Sequence, residues 1–181
     1  MKLFFASDIH GSLPATELML TRFTASGADW LILLGDLLYH GPRNPLPEGY
    51  NPSTVAQLLN QYARNIIAVR GNCDSEVDQM LISFPIMASW QQILTKQGRL
   101  FLTHGHEYSP THLPPLNEHD VLVYGHTHIP HAEKLDNIYC FNPGSISLPK
   151  GGYPASFGIL ADNKLQVLDL QNQTTIMETH F

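Results

Sequence analysis

Two cysteines in 181 residues, Cys73 and Cys140, lie far apart and form no C-x-x-C pair. That spacing argues against a disulfide framework or a zinc ribbon. Lys and Arg number 10 against 16 Asp and Glu, for a net charge of −6, and no basic run stands out. Nucleic-acid grooves and anionic membrane surfaces draw on a basic face, so neither long DNA or RNA nor a membrane is an expected partner. No apolar stretch reaches the roughly 20 residues of a membrane span. The first residues run straight into an apolar strand-like stretch rather than a secretory leader, and a reducing, cytoplasmic setting is the expectation. Internal repeats, low-complexity segments and a dividing linker are also missing. Residues 1–181 therefore read as one domain, long enough for a sizeable core.

What is present is a series of short apolar runs, each closed by residues that can bind a hard or borderline metal ion. Residues 3–6 end at Ser7-Asp8-Ile9-His10 and residues 30–34 at Gly35-Asp36. Residues 66–69 end at Arg70-Gly71-Asn72-Cys73-Asp74. Residues 100–103 end at His104-Gly105-His106, and residues 121–124 at Gly125-His126-Thr127-His128. Continuous short apolar runs read as buried strands. Between the first two, Pro14 opens a helix with Ala15, Leu18, Met19 and Phe23 on one face and Gly27 as its stop. Asn51-Pro52 opens a second, with Val55, Leu58, Leu59 and Tyr62 aligned. Asp74 or Ser75 caps a short third helix through Leu81. Strands and helices alternating at about 30-residue spacing predict parallel βαβ units. The tail differs: runs 138–141, 156–160 and 165–170 are joined by turns such as Asp162-Asn163 and Gln171-Asn172. These predict an antiparallel layer completing a two-sheet core. The fold class is α/β with an α+β-like tail.

Ligands bind beyond the carboxyl ends of parallel strands, so the five stretches can converge on one sheet edge. Asp8 and His10, like His126 and His128, are two residues apart, which in an extended segment points both side chains the same way. The candidate ligands are Asp8, His10, Asp36, Asn72, His104, His126 and His128. Seven exceeds the about four protein ligands that one ion takes and suits two ions sharing a carboxylate, with Asp36 as the bridge. Mixed oxygen and nitrogen donors make Mn²⁺ the preferred ion, with Fe, Zn, Co and Ni compatible. Arg43 and His40 lie in the long Pro-rich stretch 37–51, which with residues 107–118 is expected to shape the pocket. A solvated loop is the favoured reading of both, with Arg43 a candidate phosphate clamp. Asn142-Pro143-Gly144-Ser145 reads as a structural turn beside the site.

Taken in order, D-x-H, G-D, G-N-x-D, G-H and G-H-T-H resemble the motifs of the calcineurin-like metallophosphoesterases. The resemblance covers roughly residues 1–150, and the small size resembles the compact bacterial phosphodiesterase branch. It implies a two-sheet β-sandwich flanked by helices. It further implies one metal ion on Asp8, His10, Asp36 and His128, and a second on Asp36, Asn72, His104 and His126. The activity implied is a metal-dependent phosphodiesterase in which a hydroxide bridging the two ions attacks a small diester. A phosphomonoesterase, a nucleotide pyrophosphohydrolase and a protein-binding scaffold on the same fold are the alternatives, and the complete ligand set favours an enzyme. Asn72, His104, His106 and Asp74 are the expected catalytic group. His106 either donates to phosphate or supports a ligand, and Asp74 orients Asn72 or His104. Arg43 and Cys73 are the expected substrate contacts. Many family members carry histidine at the position of Cys73, and a thiol is a weaker donor for a leaving group. A homo-oligomer stays open.

Overall fold

The computed structural model describes all 181 residues, with eleven strands and three α-helices in two mixed sheets. Strand β1 (Leu3–Ala6) lies between β2 (Trp30–Leu33) and β9 (Ser156–Ala161). Adding β3 (Ile66–Ala68), β10 (Lys164–Asp169) and β11 (Thr175–His180) gives the order β11-β10-β9-β1-β2-β3. The second sheet runs β4 (Trp90–Leu94), β5 (Arg99–Thr103), β6 (Val121–Val123), β8 (Ile138–Asn142), β7 (His131–Leu135). Each sheet contains a parallel trio, β1-β2-β3 in one and β5-β6-β8 in the other.

The period-two alternation of strands builds the layers. Leu3 and Phe5 point between the sheets, where they meet Leu100, Leu102, Val121, Val123 and Phe141. Phe4 and Ala6 point the other way, into a core with Met19, Leu20 and Phe23 of α1 (Leu13–Ser26) and Val55, Ala56 and Leu59 of α2 (Pro52–Asn60). Burial on both faces is why β1 reads as an unbroken apolar run. The outer face of the second sheet has no helix. Phe101, Leu122, Tyr124, Ile138 and Cys140 are covered there by Tyr108 and Leu116. Helix α3 (Glu76–Leu81) is capped by Ser75, not Asp74, and buries none of its residues.

Two expectations need correction. The tail does not form one antiparallel layer: β8 joins the second sheet parallel to β6, whereas β9, β10 and β11 extend the first sheet antiparallel. The metal-binding stretches likewise do not share one sheet edge, because β1, β2 and β3 lie in one sheet and β5 and β6 in the other. Strands β4, β7 and β11 were not anticipated. All three are sheet edges, half solvated and carrying residues such as Gln92, Glu133 and Glu178. An edge strand needs no apolar run, and polar residues there discourage edge-to-edge pairing.

Gly158 of β9 shows how tightly the sheets meet. A Cβ there would lie 2.6 Å from Cζ of Phe141, whose ring packs edge-on to Phe5 at 5.4 Å. Phe141→Ala should therefore cost about 3–5 kcal/mol, read as a lower urea midpoint at unchanged slope.

Candidate metal centre

The carboxyl ends of the two parallel trios meet at one end of the sandwich, and all seven candidate ligands come together there. Asp8 and His10 follow β1, Asp36 follows β2, Asn72 follows β3, His104 follows β5, and His126 and His128 follow β6. Asp8, His10, Asp36, His104 and His128 are buried. His126 is half-buried and Asn72 is exposed at the mouth. Nε2 of His128 lies 3.3 Å from Oδ1 of Asp8 and 3.3 Å from Nε2 of His10. Oδ2 of Asp36 lies between the two histidine groups, 3.8 Å from Nε2 of His10 and 3.4 Å from Nε2 of His104. Nε2 of His104 is also 3.0 Å from Oδ1 of Asn72 and 3.2 Å from Nδ1 of His126.

The local backbone is not extended, as the two-residue spacing had suggested. Asp8, His10, Asp36, His126 and His128 all have φ between 50° and 67°. That left-handed region is costly for residues with a Cβ, least so for short polar ones, and such strain gathers at functional sites. The turns are held by cross-loop amides: His10 N–H donates to the Asp36 carbonyl at 2.9 Å, and Asp8 N–H to the Gly35 carbonyl at 3.2 Å. Gly71 must be glycine for a different reason, since a Cβ would collide with the Asp36 carboxylate and amide.

The proton inventory of this pocket is one-sided. His10, His104 and His128 each donate Nδ1–H to a backbone carbonyl, of Tyr39 at 2.9 Å, Leu34 at 2.6 Å and Leu148 at 2.6 Å. Their Nε2 atoms are thereby aimed at the carboxylates and at one another, the arrangement found behind metal-ligating histidines, with a proton on His104 Nε2 shared toward Asp36 and Asn72. Oδ1 of Asp8 is buried with no hydrogen-bond partner, while its Oδ2 accepts from Ser7 Oγ at 2.6 Å and His126 N–H at 3.0 Å. A buried carboxylate oxygen facing ring nitrogens, with no donor of its own, fits a cation. Asp8, His10 and His128 form one group of mutually close donor atoms, and Asp8, Asp36 and His104 another.

Charge follows the same geometry. Burial alone would raise the Asp36 pKa, but the His104 hydrogen bond and charge and the Cys73 amide hold it well below the usual range. Burial would lower His104, yet the hydrogen bond to Asp36 and the charges of Asp8 and Asp36 push it up to about 9. Burial, then the charge on His104, keeps His126 below its ordinary value.

Asp74 does not touch Asn72 or His104, contrary to its expected role. Its carboxylate accepts from the backbone amides of Asp36 at 2.8 Å, Leu37 at 2.9 Å and Gly71 at 2.7 Å. It thereby clamps the loop after β2 to the loop after β3. The segment after β8 proves to be more than a turn. Ser145 and Ser147 both donate to the Asp8 carbonyl, at 2.8 and 2.9 Å. Asn142 donates to the Gly125 carbonyl at 2.9 Å and to Thr127 Oγ1 at 3.1 Å. Only the Asn-Pro-Gly-Ser turn signal could have flagged this strap.

At the rim, His106 is exposed, its ring 5.4 Å from His104 and 6.1 Å from His126. His40 packs edge-on between Tyr39 and Tyr50 rather than facing the centre. The Cys73 thiol accepts from Asn72 Nδ2 at 3.3 Å, and burial, then the Asp36 charge, pushes its pKa up to about 12. A cleft of about 1080 Å³ opens from Asp36, Asn72, His126 and His128, with Arg43, Cys73 and Lys150 along its walls. Nothing in the sequence drew attention to Lys150.

Comparison with known proteins bears on the family and the fold. Residues 1–164 match the calcineurin-like phosphoesterase superfamily domain. The chain is 63% identical over 178 residues to phosphodiesterase YfcE of Escherichia coli K12, covering 98% of this chain and 97% of that one. A solved structure of the E. coli phosphoesterase YfcE superposes with a TM-score of 0.98 at 62% identity, over 99% of both chains. Zn²⁺-complexed Vps29 from Entamoeba histolytica shares the fold at a TM-score of 0.64 and 18% identity, over 99% of both.

A cation that takes Nε2 of His104 displaces the proton held there below about pH 9. Adding Mn²⁺ to chelator-stripped protein in weak buffer at about pH 7.5 should release about one proton per chain. Release should fade as the pH rises through about 9, where His104 is already neutral, and apparent affinity should stop climbing there. A pH-stat titration measures both.

Proposed function

The chain belongs to the calcineurin-like phosphoesterase superfamily, a family of metal-dependent hydrolases, and we propose that it hydrolyses small phosphodiesters with two divalent ions. The observation that carries this reading is the acceptor-rich cluster in which Asp36 Oδ2 lies between two groups of ring nitrogens. In this reading Asp8, His10, Asp36 and His128 hold one ion, and Asp36, Asn72, His104 and His126 the other. Mn²⁺ is preferred for the mixed carboxylate, amide and imidazole donors. Ions there would lower the pKa of water and neutralise phosphoryl oxygens. YfcE, the E. coli relative, bears the name phosphodiesterase, which supports a diester rather than a monoester for this chain.

The protein's own groups then have distinct tasks. Asn72, anchored by His104 at 3.0 Å, reaches the mouth of the site, where an ester oxygen arrives. Asp74 and the Ser145–Ser147 strap keep Asp36 and Asp8 in place without touching substrate. In this reading Arg43, exposed on the cleft, clamps a phosphoryl oxygen, and His106 donates to one. Cys73, beside Asn72, offers a leaving group only a weak thiol donor. Esters whose alcohols leave readily as anions are therefore the better substrates.

We read the whole chain as one domain acting in the cytoplasm. Both cysteines are free, in keeping with a reducing compartment, and no helix is long and apolar enough to cross a membrane. A purely protein-binding scaffold would have no need to keep seven competent donors facing one another.

Chelator-stripped protein should regain hydrolysis of bis(p-nitrophenyl) phosphate as Mn²⁺ is titrated back, with little turnover of p-nitrophenyl phosphate. Asn72→Ala should lower kcat/KM for the diester by about 100-fold with an unchanged thermal midpoint before metal addition. Full turnover by that variant would remove Asn72 from the site.

Cys73→His should add monoester turnover, because an imidazolium can protonate a poorer leaving group. The comparison is p-nitrophenyl phosphate against an alkyl phosphate, for the variant and the parent. No gain on either ester would mean that the thiol is not what restricts the parent enzyme.

A further inference from the structure

Apolar side chains exposed on this protein are not scattered evenly. Val77 and Leu81, four residues apart on α3 and so on one face, are 66% and 49% exposed, and Tyr39 opposite them is 41% exposed. All three line the cleft that opens from the metal centre, together with Pro42, Pro45 and Tyr50. Helix α3 buries nothing, so these side chains contribute nothing to the core. The cleft is as large as the pockets that take organic ligands, and its apolar wall is continuous with Asp36 and Asn72.

Some polar groups of the same wall are already engaged, while the Arg43 and Lys150 side chains and the Tyr39 and Tyr50 hydroxyls stay open at its edges. Asn44 Nδ2 donates to the His40 carbonyl at 2.9 Å. Ser75 and Asp78 bond each other in the capping box of α3, with Ser75 Oγ donating to Asp78 Oδ2 at 2.8 Å. The surface between those groups is largely flat: tyrosine rings, proline rings and two aliphatic side chains. Such surfaces favour planar partners through area and offset stacking, at little entropic cost.

We propose that this wall is a specificity subsite for a planar aromatic ester group of the diester, aryl or nucleobase-bearing, held chiefly by contact area. The proposal rests on the phosphodiesterase reading above and extends it from the phosphate to the group attached to it.

The test uses the Mn²⁺-loaded full chain and two esters that release the same p-nitrophenolate, phenyl p-nitrophenyl phosphate and methyl p-nitrophenyl phosphate. Relative to their rates with Mn²⁺ alone in solution, the phenyl ester should be favoured at least about tenfold in kcat/KM, mainly through KM. In the double variant Val77→Ser/Leu81→Ser that preference should largely vanish. Met80→Ser, exposed on the same helix but outside the cleft, should keep it. Calorimetric binding of phenylphosphonate and methylphosphonate gives a second reading that needs no turnover. Tighter binding of the phenyl ligand, lost in the double variant, would support the subsite even if neither ester were cleaved, a result that would sink the diesterase reading alone. Equal binding of the two phosphonates, or an equal loss on both esters in the double variant, would overturn the subsite. So would a double variant that changes oligomeric state while keeping the preference, since the wall would then be an interface between copies.

Discussion

Once His10, His104 and His128 have given their Nδ1 protons to backbone carbonyls, most atoms facing the centre of the site are acceptors. Acceptors packed at 3.3–3.8 Å repel one another unless a proton or a cation lies between them. The surrounding structure is organised to hold that unfavourable arrangement in place. Five left-handed backbone positions, the three-amide clamp of Asp74 and the serine strap on Asp8 are all restraints against relaxation. The elevated pKa of His104 is the same tension expressed in protons.

The restraints explain why the site needs two sheets. One sheet edge could present carboxylates from β1 and β2 and an amide from β3, but it would leave them facing solvent. The second sheet brings three of the four histidines from the opposite side and closes the pocket, and the inter-sheet core around Phe5 and Phe141 sets the separation. Packing in that core and donor distances at the centre are therefore one problem. Gly158, which makes room for the Phe141 ring, contributes to the site from within the core.

Much of this was legible in the chain. The parallel trio β1-β2-β3, both longer helices and the convergence of ligand-bearing strand ends follow from apolar runs, caps and turn residues, which act locally. The division of the strands between two sheets was not legible, because neither β8 nor β9 carries a mark saying which sheet will accept it. The edge strands were invisible for the reason that makes them good edges: residues such as Gln92, Glu133 and Glu178 belong equally to loops. Asp74 was noticed as a carboxylate beside the site, but its partners are three backbone amides, and backbone partners have no residue type to search for. Ser145 and Ser147 share that limitation.

The strap also places the site in time. Asp8 is made well before the hydroxyls that hold its carbonyl, which belong to Ser145 and Ser147, 137 and 139 residues later, and a carbonyl that orients one of its histidine neighbours belongs to Leu148. Chains are made at about 5–20 residues per second, so the earliest candidate ligand waits several seconds for its support. No chain that stops before Leu148 can assemble the arrangement. Loading with metal is thus a late event, reserved for molecules whose two sheets have already closed on each other.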